Sequence, residues 1–182
     1  MLRIIFVRHA ESVGDKLTRK GKKQAKSVCS DLWYENIAKV YVSPLNRTTT
    51  TAKIIAKKLG LENVVYDERI AERNTDKINL TAKQVAEYDA NYLNPEYSHT
   101  KPEGCKNFLN RVFSFLDDII KANDDGTDKS ILIVGHSSLS YAMYAYFGGV
   151  SKGKDLIWTR VGNASKLCFQ NVSKESKNAK KC

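Results

Sequence analysis

The sequence predicts an α/β domain built on a mostly parallel sheet. Three observations carry this: four short runs that are apolar almost without interruption, amphipathic helical patterns between them, and a hydrophobic fraction of 42% in a chain of 182 residues. A strand with one face in solvent alternates apolar and polar side chains. A continuous apolar run is the mark of a strand covered on both faces, as crossover helices cover a parallel sheet. Alternation of the two patterns is the signature of βαβ units. The length suits one domain with a full core.

The elements follow in order. "LRIIFV" (2–7) is the first strand. Thr18 serves as N-cap of a helix to Tyr34, with Ala25, Val28 and Leu32 on one stripe. "KVYVS" (39–43) is the second strand, and the helix after it runs from Arg47 to Leu59, where Ile55 and Leu59 share a face and Gly60 supplies the stop. "NVVY" (63–66) is the third strand. The stretch 70–102 is less regular; within it "TAKQVAEY" opens with a T-x-x-Q capping box and predicts a short helix, followed by the polar loop "NPEYSHTKPEG". Phe108, Val112, Phe115, Leu116 and Ile119 recur at helical spacing. "ILIV" (131–134) is the fourth strand, "GHSSLSYAMYAYFGG" begins another helix, and "DLIWTRV" and "SKLCFQN" read as two last strands. No internal repeat is visible. Residues 1–172 form the domain, and 173–182 read as a disordered Lys-rich tail.

Composition narrows the function classes. The formal charge is +10, concentrated in "RKGKKQAK" (19–26) and the tail. Such a field attracts nucleic acid, acidic membranes or anionic small molecules. No aromatics interleave with the basic residues as in nucleic-acid modules, so a solvated helix face and no nucleic-acid partner are expected. No apolar stretch is long enough to span a bilayer, and the first apolar run is too short for a secretory signal. No membrane association is expected. Cys29, Cys105, Cys168 and Cys182 have no metal-ligand spacing and read as free thiols in the cytoplasm.

Two of the three histidines stand at strand ends: His9 directly after the first strand, His136 directly after the fourth. In open α/β sheets ligands bind beyond the carboxyl ends of the strands, so both imidazoles belong to one sheet edge. His99, in a polar loop, is read as surface. Arg8 adjoins His9, and Arg47 in "SPLNR" begins the helix after the second strand. Guanidinium groups and helix N-termini both suit phosphate oxygens. Two imidazoles and two arginines at one edge make a pocket for a phosphoryl dianion. Core histidines and plain salt bridges explain the same spacing equally well.

The blocks "RHAES", "LTRKGKKQA", "SPLNRTTTTA", "DERIAE" and "VGHSS", in that order, resemble the histidine phosphatase superfamily, the group of the phosphoglycerate mutases and fructose-2,6-bisphosphatase. The resemblance spans residues 2 to about 170. It implies a phosphoglycerate mutase-like fold, a three-layer sandwich around a mostly parallel sheet. It places the nucleophile on His9, which forms a phosphohistidine, and the proton donor on Glu72, with Glu68 and Glu11 as weaker candidates. Arg8, Arg47 and His136 match the residues that hold the phosphoryl oxygens. No metal and no organic cofactor is implied.

Departures from the family pattern refine the expectation. Ala10 replaces a glycine. Asp15 stands where many members place an asparagine that donates to the phosphoryl group, so that role is not carried over. Ser137 replaces the glycine after the second histidine and keeps a backbone N–H for the phosphate. "PEG" (102–104) stands where many members read GES, and Glu103 is given little part in substrate binding. The segment between the nucleophile and LT-x-x-G is short, which implies an open site and favours hydrolysis over a mutase reaction.

The sequence therefore reads as a phosphatase of phosphate monoesters acting through phospho-His9. Its expected substrate is a phosphorylated small molecule, with a phosphoprotein second. Protein phosphohistidine phosphatases and mutases are the enzymatic alternatives, and a phosphate-binding regulatory module is the non-enzymatic one. Lys77, Lys83 and Lys101 are candidates to meet a second anionic group. Trp33, Tyr34 and Trp158 leave the oligomeric state open.

Overall fold

The computed structural model describes residues 1–148, 161–172 and 180–181. Along the chain, β1 (Leu2–Arg8) leads through a small hairpin, β2 (Ser12–Val13) and β3 (Lys16–Leu17), into α1 (Arg19–Leu32). β4 (Ile37–Val42), α2 (Asn46–Leu59) and β5 (Val64–Tyr66) follow. A 3-10 turn at Glu68–Ile70 precedes α3 (Ala82–Ala90) and α4 (Cys105–Asn123). β6 (Lys129–Gly135), α5 (Ser137–Gly148), β7 (Lys166–Val172) and β8 (Lys180–Lys181) complete the order.

The main sheet runs β5-β4-β6-β1-β7-β8. Its first four strands are parallel, and β7 returns antiparallel beside β1. The continuous apolar runs are explained by burial on both faces. Leu2, Ile4 and Phe6 of β1 join the core formed with α4 and α5, including Phe108, Phe115 and Met143. Ile5 and Val7 point the other way, into a core with Val28 and Leu32 of α1 and Ala52 and Ile55 of α2. Helix, sheet and helix make three layers, as the resemblance implied. Burying each such Ile, Leu or Phe contributes about 1.5–3 kcal/mol.

Local chemistry sets the helix ends. The Thr18 hydroxyl accepts from the Gly21 amide at 2.9 Å, capping α1. A side chain at Gly21 would lie 2.0 Å from the Glu11 carbonyl oxygen, so the glycine lets α1 close against the loop after β1. Gly60 adopts φ 69°, and its N–H returns to the Ala56 carbonyl to end α2. The capping box at Thr81 and Gln84 forms as read from the sequence. α4 begins at Cys105 rather than Phe108, because buried Cys105 extends the apolar stripe by one turn.

Several expectations change. The run "DLIWTRV" lies outside the described residues except for Val161, which is not in a strand. Trp158 is outside them too, while Trp33 and Tyr34 are exposed. In the tail, 173–179 also lie outside, whereas Lys180–Lys181 pair with Phe169 and Gln170. Cys29 and Cys105 are buried free thiols, but Cys168 is disulfide-bonded. That corrects the reading of four free cysteines: spacing along the chain does not reveal which thiols the fold brings together. No helix among the described residues is long and apolar enough to cross a membrane.

Candidate active site

β1 and β6 are parallel neighbours, with Arg8 opposite Gly135. The residues that follow them are therefore brought together: the His9 amide donates to the Gly135 carbonyl at 2.9 Å, and the His9 and His136 rings lie 5.4 Å apart between centroids. Both are buried. His9 Nδ1 lies 2.8 Å from the Ala10 carbonyl oxygen. A carbonyl only accepts, so Nδ1 carries the hydrogen and Nε2 keeps a lone pair. Burial holds the His9 pKa below 6.5; the Ala10 bond opposes this, and the Arg47 and Arg8 charges reinforce it. His136 Nε2 is 2.7 Å from the Ser43 hydroxyl. Its pKa is pushed down to about 2, first by burial and then by Arg47, His9 and Arg8. Both rings are neutral at pH 7.

The cations arrive from two elements. Arg8 ends β1, and its Nη1 donates to the Val161 carbonyl at 2.9 Å. Arg47 stands in the first turn of α2, with Nη1 3.1 Å from Asp15 and Nη2 3.9 Å from Glu72. Asp15 comes from the turn of the β2–β3 hairpin. Its carboxylate accepts from the amides of Asn46 at 3.0 Å and Arg47 at 3.2 Å. It thus supplies the cap that Leu45, at the N-cap position, cannot. Partial burial works against the charge of Asp15, but these amides and the Arg47 guanidinium outweigh it and lower its pKa.

Glu72 follows the 3-10 turn. One carboxylate oxygen accepts from the Ser138 hydroxyl and, at 3.4 Å, from the Ser138 amide. The other lies 3.5 Å from His136 Nδ1, an atom with no hydrogen bond. Glu72 thus faces both imidazoles' end of the sheet. Arg111 holds its segment in place. It grips Glu103 with two nitrogens at 2.7 and 2.8 Å and donates to the carbonyls of Arg69 at 2.6 Å and Ala71 at 3.0 Å. Glu103 is committed to that fork. Glu11 is held by Thr18 at 2.8 Å and Lys20 at 2.9 Å, and Glu68 sits in the 3-10 turn. Neither is in contact with the histidines.

Arg8, His9, Arg47, Glu72 and His136 therefore converge, and Ser137 opens α5 directly after His136. His99 is half-buried rather than on the surface, stacked on Tyr97. Lys77 pairs with Asp89. Sequence reading missed Ser43, Ser138, Arg73 and Arg111. Ser43 and Ser138 do lie inside the quoted blocks "SPLNR" and "VGHSS", four positions before Arg47 and two after His136. Arg73 and Arg111 act through space and leave no local pattern. Among the described residues no group of three His, Cys, Asp or Glu side chains is arranged to hold a metal ion.

A family model describing the histidine phosphatase superfamily (branch 1) matches residues 4–171. Phosphoserine phosphatase 1 of Hydrogenobacter thermophilus is 30% identical over 172 residues, covering 85% of this chain and 80% of that protein. The chain belongs to the histidine phosphatase superfamily. Among solved structures, a mycobacterial glucosyl-3-phosphoglycerate phosphatase complexed with VO3 superimposes with a TM-score of 0.78 at 20% identity, over 98% of this chain and 96% of that one. A phosphoserine phosphatase from Entamoeba histolytica, in complex with phosphoserine, gives 0.75 at 20% identity over 100% and 95%. These two likenesses speak to the fold.

Proposed function

We propose that this chain is a phosphatase that hydrolyses a phosphate monoester of a small molecule through a phosphohistidine on His9. The observation that carries it is the Nδ1–H bond to the Ala10 carbonyl, which leaves a neutral imidazole with its Nε2 lone pair available at the sheet edge. Nε2 attacks phosphorus, and the bond to the leaving oxygen breaks. Glu72 gives its proton to that oxygen as it departs. Glu72 then takes a proton from water, whose oxygen attacks the phosphohistidine, and inorganic phosphate leaves with His9 restored. Charge on the transferring group is met by Arg8, Arg47 and the backbone N–H of Ser137 at the start of α5. Ser43, donating its O–H to His136 Nε2, leaves His136 Nδ1–H for a phosphoryl oxygen.

The tight β2–β3 hairpin supports hydrolysis over transfer, since a mutase must shield its intermediate from water. The phosphoserine phosphatase among the relatives supports a small phosphorylated substrate over a phosphoprotein. A cytoplasmic setting belongs to the same reading; the buried free Cys29 and Cys105 accord with it, and the bonded Cys168 does not.

The test is p-nitrophenyl phosphate hydrolysis by wild type and His9→Ala in the presence of a chelator, with acid-quench trapping. Chelator-resistant turnover and an acid-labile phosphoenzyme, both lost in the variant, are expected. A wild type that neither traps phosphate nor binds vanadate would overturn the catalytic reading.

A further inference from the structure

Beside Glu72 a cavity of about 390 Å³ opens, lined by Arg8, Arg73, Tyr92, Ser138 and Tyr141 among others. Two of its polar side chains are more than nine-tenths buried, Arg73 at 3% exposure and Tyr141 at 4%. Arg73 uses Nε and Nη1 on the carbonyls of Glu103 and Tyr92, at 2.8 and 2.7 Å. Neither its Nη2 nor the Tyr141 hydroxyl has a hydrogen-bond partner beyond the contact the two groups make with each other. Among the described residues no carboxylate pairs with Arg73; the nearby Glu103 carboxylate is taken by Arg111. The rings of Tyr92 and Tyr88 face the cation, at 4.4 and 5.7 Å from their centroids. A buried charge without a counterion and a buried donor without an acceptor are both costly. A bound anion relieves both.

We propose that Arg73 Nη2 and the Tyr141 hydroxyl form the specificity site for a carboxylate on the substrate's leaving group, so that the enzyme selects phosphate monoesters of carboxylic acids. This rests on the reading that phosphate sits on His9. Glu72 must then face the leaving oxygen, and the rest of the leaving group extends past Ser138, whose hydroxyl lies 3.4 Å from the Arg73 amide, into the cavity. Burial keeps the Tyr141 phenol protonated and a donor. Two single donors from two residues match the two oxygens of a carboxylate. With Arg8 engaged by the phosphoryl group on His9, Arg73 alone balances one negative charge, whereas a second phosphate dianion would meet that one guanidinium with Glu72 on the same wall. The neighbouring cavity on the other side of Glu72 is lined by Glu68 and Glu103 together with Lys101 and Arg111, and is the poorer host for an anion.

The test compares kcat/KM within two pairs that differ at the carboxylate: O-phosphoserine against O-phosphoethanolamine, and 3-phosphoglycerate against glycerol 3-phosphate. Wild type should favour the acid in at least one pair by tenfold or more. Tyr141→Phe, which removes only a hydroxyl, should shrink that ratio about tenfold, and Arg73→Gln should shrink it further. Equal rates within both pairs, or a ratio that Tyr141→Phe leaves intact, would overturn the proposal, as would a preference for fructose 1,6-bisphosphate over both acids. Trapping of phospho-His9 from p-nitrophenyl phosphate, run in parallel, separates failure of this site from failure of the phosphatase reading.

Discussion

At Asp15 a carboxylate stands 3.1 Å from Arg47, which the proposed mechanism also assigns to the phosphoryl group. In that mechanism the two anions compete for Arg47, whose pair with Asp15 lies at a partly solvated surface, where an ion pair is worth about 0.2–1 kcal/mol. Asp15→Asn retains a capping oxygen for α2 while removing the charge. Vanadate should therefore inhibit the variant about 2- to 5-fold more tightly, measured as an inhibition constant. An unchanged constant would mean that phosphate and Asp15 do not share Arg47. Residues placed by position after a strand, Arg8, His9, Arg47 and His136, were legible in the sequence, and the family blocks added Glu72. Ser43, Ser138 and Arg73 were not. Each works on a group brought near only by the fold: Ser43 on His136, Ser138 on Glu72, Arg73 on a cavity.

Elements differ in the same way. The central strands β1 and β6 and the second half of β4 were plain because a strand buried on both faces leaves nothing but apolar residues to read. The short edge strand β5 is only partly buried. The β2–β3 hairpin was not, since two-residue strands carry no periodicity; only the shortness of the segment was visible. The antiparallel direction of β7 was also hidden, because strand direction depends on the path of the chain before it. The block "LTRKGKKQA" has a structural meaning rather than a chemical one. Thr18 caps α1 and donates to Glu11, while Gln24 accepts from the Glu11 amide at 2.9 Å, which ties the loop after His9 to the helix. Thr18→Ala should cost about 1 kcal/mol, read as a fall of about 2–4 °C in Tm. A Tm within error of wild type would show that water replaces the cap without loss.

For the molecule as a whole, two neutral imidazoles in the core tie stability to pH. The His136 pKa is about 2 when folded, and that of His9 is also depressed, against about 6.5 unfolded. Below 6.5 the unfolded chain takes up protons that the folded chain excludes. The contribution of these groups is complete above pH 6.5 and is lost on acidification, that of His136 as pH falls toward 2 and that of His9 as pH falls through its own depressed pKa. The limiting rate is about 1.4 kcal/mol per pH unit for each group. Urea midpoints should therefore decline on acidification from pH 6.5, and His136→Gln should flatten that decline; parallel slopes in the two proteins would contradict it. The strand order has a kinetic consequence as well. β1 meets its parallel neighbour only after most of the chain has been threaded, so the His9 amide finds the Gly135 carbonyl by closing one of the longest loops in the molecule. Such contacts pay their entropy before they return any stability. Nascent chains that stop short of β6 hold one of the two histidines, and the pair is assembled with the closing of the central strands.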